Sequence, residues 1–66
     1  YNVDMTNANL SYSSINNATV NGVDFSGSDL TGASFEGATV TNSTFTNTIW
    51  SSTTWTDGEE YDSNPT

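Results

Sequence analysis

Every fifth residue from Met5 is apolar: Met5, Leu10, Ile15, Val20, Phe25, Leu30, Phe35, Val40, Phe45, Trp50 and Trp55. The whole chain is only 32% apolar, so eleven apolar residues in one phase mark a repeat of five. Two places earlier in each repeat stands a small or short residue: Val3, Ala8, Ser13, Ala18, Val23, Ser28, Ala33, Ala38, Ser43, Thr48 and Thr53. Outside these two columns the apolar residues are Tyr1, Tyr12, Ile49 and Tyr61. The position between the columns is mostly polar, as in Asp4, Asn9, Asp24 and Asp29. That inward, outward, inward order predicts a very short strand with both columns buried. The last residue of each repeat is Gly, Asn or Asp in nine of eleven cases, and these types accept tight or left-handed backbone. The residue before it is usually Ser or Thr, which bonds locally to the backbone. Each repeat is therefore one short side and one corner.

A second period fixes the number of sides. Residue n matches residue n+20 at Val3 and Val23, Asp4 and Asp24, Leu10 and Leu30, Ala18 and Ala38, Thr19 and Thr39, and Val20 and Val40. Twenty residues are four repeats, so a coil has four sides, with neighbouring coils about 4.8 Å apart as in any paired strands. Inward residues then stack Met5 under Phe25 under Phe45, and Ile15 under Phe35 under Trp55. No helical periodicity is present, and the fold class is all-β. Eleven repeats from Val3 give about 2.75 coils over residues 1–57, followed by an acidic C-terminal tail over 58–66.

Ala8-Asn9-Leu10, Val23-Asp24-Phe25, Ser28-Asp29-Leu30 and Ala33-Ser34-Phe35 resemble the unit of the pentapeptide-repeat family: a small residue, Asp or Asn, Leu or Phe, then two polar residues. The resemblance runs from Val3 to Asp57 and implies a right-handed quadrilateral β-helix, a solenoid. The stretch from Ile49 to Gly58 looks like the end of some secreted bacterial members, which implies a secreted or extracellular-surface location. Three features depart from the family pattern: β-branched Ile15, Val20 and Val40 at the centre, bulky Trp50 and Trp55, and Ile49 at an outward position. A less regular last coil is expected, with the indoles lying over the end of the core.

Composition narrows the function. With eight carboxylates and no Lys, Arg or His, the surface cannot neutralise phosphates, which argues against nucleic acid and against anionic membranes. A basic protein partner remains open. No apolar run is long enough to span a bilayer and no signal peptide is visible. A start at Tyr1 rather than Met is expected of a processed protein or an excised piece. Without Cys, neither a disulfide nor a thiolate site can staple so short a chain, and a partner or a longer stack is the remaining route to stability.

Catalytic groups are scarce: without His, Cys or Lys only carboxylates and hydroxyls remain, and no enzyme is expected. No cofactor is expected either. Asp4, Asp24 and Asp29 are the weak candidates for Ca²⁺, which takes oxygen ligands, but no Ca²⁺-loop spacing accompanies them. Asn9, Asn17 and Asn42 head Asn-x-Ser/Thr triplets open to glycosylation, in a chain with nine Asn where chance matches are common.

The favoured reading is a non-catalytic structural solenoid whose partner is itself, joined head to tail into an extracellular fibre. Tyr1, Val3 and Met5 would form one end and Phe45, Trp50, Trp55 and Tyr61 the other, since different surfaces joined head to tail stay open-ended. The tail from Gly58 would fill the missing fourth side of the last coil. The alternatives are a spacer or protein-binding segment of a larger secreted protein, and an acidic mimic of DNA of the kind that inhibits DNA gyrase in longer family members.

Overall fold

The four stacks expected from the twenty-residue period appear as ladders of parallel bridges in a computed structural model that describes residues 3–66. The longer pairings are named strands: β1 (Val3–Asp4), β2 (Thr19–Asn21), β3 (Val23–Asp24), β4 (Thr39–Thr41), β5 (Thr53–Thr54) and β6 (Glu60–Tyr61). One side stacks Asp4, Asp24 and Thr44, the next Asn9, Asp29 and Ile49, the third Ser14, Ser34 and Thr54, and the fourth Thr19 and Thr39. Every one of these parallel partners is n and n+20. No helix occurs among the described residues.

Each side is bonded in both directions along the stack. The amide of a central residue donates forward, as Leu10 to the Asp29 carbonyl and Leu30 to the Ile49 carbonyl, both at 2.9 Å. The amide of the outward residue donates backward, as Asp29 to the Ala8 carbonyl at 3.0 Å and Ile49 to the Ser28 carbonyl at 2.9 Å. Ile49 thus keeps its place in the ladder, and the last coil stays in register through Thr54.

The corners need a left-handed residue, and the sequence supplies one at the end of each repeat from Asn7 to Ser52. They also alternate in bulk along the stack. The Tyr12 ring lies over Gly32, where a Cβ would stand only 2.5 Å from its Cδ1. Asn7 and Asn17 cover Gly27 and Gly37 in the same way. A bulky corner in one coil therefore requires a bare one in the next.

The core is the middle of the stack. Phe25, Leu30, Ala33 and Phe35 are essentially inaccessible. Phe25 and Phe45 stack at 4.8 Å and 21°, and Phe35 meets Trp55 at 5.2 Å, the vertical neighbours that the period of twenty predicts. Each such ring is worth roughly 2–3 kcal/mol in burial alone.

Burial of both columns throughout does not hold. Val3 is 42% and Met5 39% exposed, and Leu10 and Ile15 are half-buried, because no coil precedes theirs among the described residues. Val40 is also only half-buried. The tail does not fill the fourth side above it. Instead β6 turns back and pairs antiparallel with β5, setting Tyr61 opposite Thr53 and Glu60 opposite Thr54.

Candidate functional site: two unlike ends

The inward Ser and Thr side chains of the small column clasp the coils together. The Ser28 hydroxyl, fully buried, donates to the Met5 carbonyl at 2.6 Å and accepts from the Ala8 amide at 3.1 Å. Thr53, also fully buried, donates to the Leu30 carbonyl at 2.7 Å and accepts from the Ser51 amide at 3.2 Å. Size alone explains an Ala in this column; a hydroxyl adds two bonds where the ladder leaves backbone groups facing the interior.

The outward carboxylates have corner work of their own. Asp29 Oδ1 accepts from the Thr31 hydroxyl at 2.7 Å and from its amide at 3.0 Å, which holds the carboxyl below its ordinary pKa of 3.8. Asp4 is lowered by the same two bonds from Thr6, and Asp24 accepts the Ser26 amide at 2.9 Å. Asp4 and Asp24 are partners in the β1–β3 ladder and line a shallow polar depression of about 370 Å³ with Asn42 and Thr44. Among the described residues no three acidic side chains gather as a metal site would require. Asn9, Asn17 and Asn42 are all exposed, with Asn9 Oδ1 held by Ser11 and Asn42 Nδ2 donating to Asn21 Oδ1.

The N-terminal end is an apolar cup. Met5, Leu10, Ile15 and Val20 form its walls, one from each side, over the ring of Phe25, enclosing about 260 Å³. Its rim is an open sheet edge. Asp29 and Ser34 donate backward to Ala8 and Ser13, whereas their first-coil counterparts Asn9 and Ser14 find no backbone partner for their amides among the described residues. Of the residues expected at this end, Val3 and Met5 lie in the first described coil, and Tyr1 lies outside the described residues. Leu10, Ile15 and Val20 were missed as end residues, although the four-sided coil puts one from each side beside Met5.

At the C-terminal end Phe45 and Trp50, expected to form an assembly end, are only 5% and 6% exposed. The two indoles pack against each other at 5.3 Å, and Trp55 also covers Phe35 and Phe45. The Trp50 indole amine donates to Thr48 Oγ1. Trp55 and Tyr61 are half-buried; the Glu59 amide, 3.0 Å from Asp57 Oδ1, and the Tyr61 hydroxyl, donating to Asp57 Oδ2 at 2.8 Å, lower the pKa of Asp57, and the second bond raises that of the phenol. The tail satisfies the sheet edge as well. Asp62 accepts the Ser52 amide at 2.8 Å, and Asn64 Nδ2 donates to the Phe45 carbonyl at 2.7 Å. Nothing in the period of five signals these contacts, because they lie after it ends.

A family model of pentapeptide repeats, nine copies long, matches residues 3–49. No curated protein and no solved structure matches the chain.

Proposed function

The chain belongs to the pentapeptide-repeat family, a structural and generally non-enzymatic one, and from that premise we propose that it works as a solenoid module whose stack is continued at the N-terminal end. One observation carries the reading: the two ends are unlike. The C-terminal edge is paired by β6 and plugged by Trp50 and Trp55, whereas the N-terminal edge leaves backbone donors and an apolar cup open. An uncovered solenoid edge is both sticky and costly in stability, since a repeat contacts only its neighbours along the stack. The module is therefore read as taking a further layer on the coil of Met5, while its own chain covers the coil of Trp50. Docking through both ends into a fibre is disfavoured because Phe45 and Trp50 are already covered by their own chain.

The outer faces support no chemistry beyond this. Their Asp and Asn oxygens are spent on corner amides and hydroxyls, and the acidic charge makes the rod soluble and self-repelling. An added coil tests the reading. Fusing a second copy of residues 23–42 ahead of Val3 should raise the melting temperature and slow hydrogen exchange at the Asn9 and Ser14 amides. No rise in melting temperature and no added protection would sink it.

A further inference from the structure

We propose that Asn21 is a site of spontaneous covalent modification, deamidation through a succinimide, and that the fold acts as its gate. Among the nine Asn of the chain, Asn21 is the one followed by Gly. Gly22 has no side chain to shield its amide nitrogen, and the Asn21 side chain is exposed to water.

The reaction needs only hydroxide and water. Hydroxide takes the proton from the Gly22 amide nitrogen, and that nitrogen attacks Asn21 Cγ. The bond from Cγ to Nδ2 breaks, the nitrogen leaves as ammonia, and an imide ring closes. Water then opens the ring at either carbonyl. One opening gives an aspartyl residue. The other gives an isoaspartyl residue, whose main chain runs through the former side chain.

Two bonds restrain the reacting groups, and both reach to the end of the second coil. The Gly22 amide donates to the Thr41 carbonyl at 3.1 Å, as part of the stack. Asn42 Nδ2 donates to Asn21 Oδ1 at 3.3 Å. The backbone bond has to break before the nitrogen can lose its proton and turn toward Cγ. The side-chain bond has two opposed effects, polarising the carbonyl and holding it in place. Water supplies the same polarisation to an exposed amide, so restraint is the larger effect. Asn42 sits in the left-handed corner that follows Gly22 along the stack, with φ of 54°. The corner of one coil thus holds the reactive corner of the other.

The two products act differently on the stack. An aspartyl residue adds one charge to a chain of net charge −8 and leaves the main chain as it was. An isoaspartyl residue adds one carbon to the main chain at the corner from β2 to β3. Val23 and Asp24 follow at once, paired with Val3 and Asp4, and Asp24 is bridged to Thr44 as well. The extra atom strains a register in which every parallel partner is n and n+20. A corner that opens reacts, and one that has reacted closes less well.

Ageing the chain in mildly alkaline buffer, with peptide mapping by mass spectrometry, tests this. The first amide lost should be that of Asn21, with aspartyl and isoaspartyl products together. The folded chain should react about tenfold or more slower than the urea-unfolded chain, as expected of an amide released by local opening. Asn42→Gly keeps a residue suited to positive φ and removes the side-chain bond. It should speed the folded reaction roughly twofold to tenfold, what one exposed hydrogen bond is worth, and leave the unfolded rate unchanged. The isoaspartyl form, made in the unfolded chain and refolded, should melt below the parent. Asn21→Asp isolates the added charge and should melt close to the parent. Earlier loss at another Asn, or no loss at Asn21 even in urea, overturns the site. Equal folded and unfolded rates overturn the gate, as does an Asn42→Gly chain that reacts no faster when folded. An isoaspartyl form that melts with Asn21→Asp overturns the register argument.

Discussion

Replacing Ser28 by Ala removes one oxygen atom from the middle of the stack and strands two backbone groups. The side chain is fully buried and joins the second coil to the first through the Met5 carbonyl and the Ala8 amide. The Met5 carbonyl lies near the open end and can recover part of its loss from water. The Ala8 amide, half-buried below the rim, recovers less. At about 1–3 kcal/mol for each group left unsatisfied, the expected loss is roughly 2–4 kcal/mol. A chain of 66 residues has on the order of 3–10 kcal/mol in all, so one hydroxyl accounts for a large share. At about 4–8 °C per kcal/mol for a domain this small, the melting temperature should fall by roughly 8–32 °C. Thermal melts followed by circular dichroism measure this, with exchange at the Ala8 amide as a local check. Ser13 is the control: it holds the same column three sides earlier, in the first coil, is half-buried, and its hydroxyl makes no hydrogen bond among the described residues. Ser13→Ala should cost less than about 1 kcal/mol. Equal effects of the two substitutions, or a shift below about 3 °C for Ser28→Ala, would refute the clasp and leave small size as the whole reason for the column.

Four further outcomes follow from the same geometry. Leu30→Asp should abolish cooperative unfolding, since it places a carboxylate at a site with no accessible surface, and a normal melt for this variant would overturn the core assignment. Gly32→Ala should cost about 1–2 kcal/mol in urea unfolding, because φ is +68° there and the new methyl meets the Tyr12 ring; removing the side chain with Tyr12→Gly should recover the steric part and leave the backbone part. Asp4, Asp29 and Asp57 have lowered pKa values, so the stability they contribute is present above 3.8 and is lost as pH falls from there through their folded values; in a carboxyl titration by nuclear magnetic resonance, Thr31→Val should raise the Asp29 midpoint toward 3.8. The melting temperature should rise with salt at neutral pH, because Asp4 and Asp24 are ladder neighbours and no Lys, Arg or His relieves the repulsion of eight carboxylates.

The repeats themselves were legible because a solenoid is specified by nearest neighbours, and each neighbour relation recurs at a fixed spacing. The column from Met5 to Trp55 names the central residues, the match of Val3 with Val23 and Thr19 with Thr39 sets the register, and the Gly and Asn corners are the residues that adopt positive φ. Tyr12 and Ser52 also adopt positive φ, which their residue types alone do not indicate; their place in the repeat does. The hydroxyl clasp was half legible: Ser28 and Thr53 read as small, but which backbone groups face inward is a property of the coil, not of the column. What only the tertiary structure decided is how the stack stops. Phe45 and Trp50 carry the same pattern as Phe25 and Leu30, and the pattern cannot say whether the next layer is another chain, another coil or a returning tail. The tail resolves that by turning at Gly58 and pairing β6 against β5, and in that arrangement Trp50 is buried while Trp55 and Val40 are half-exposed. Met5 carries the same pattern too and is 39% exposed, because a repeat encodes the kind of contact it makes and not whether a layer of the described residues lies against it.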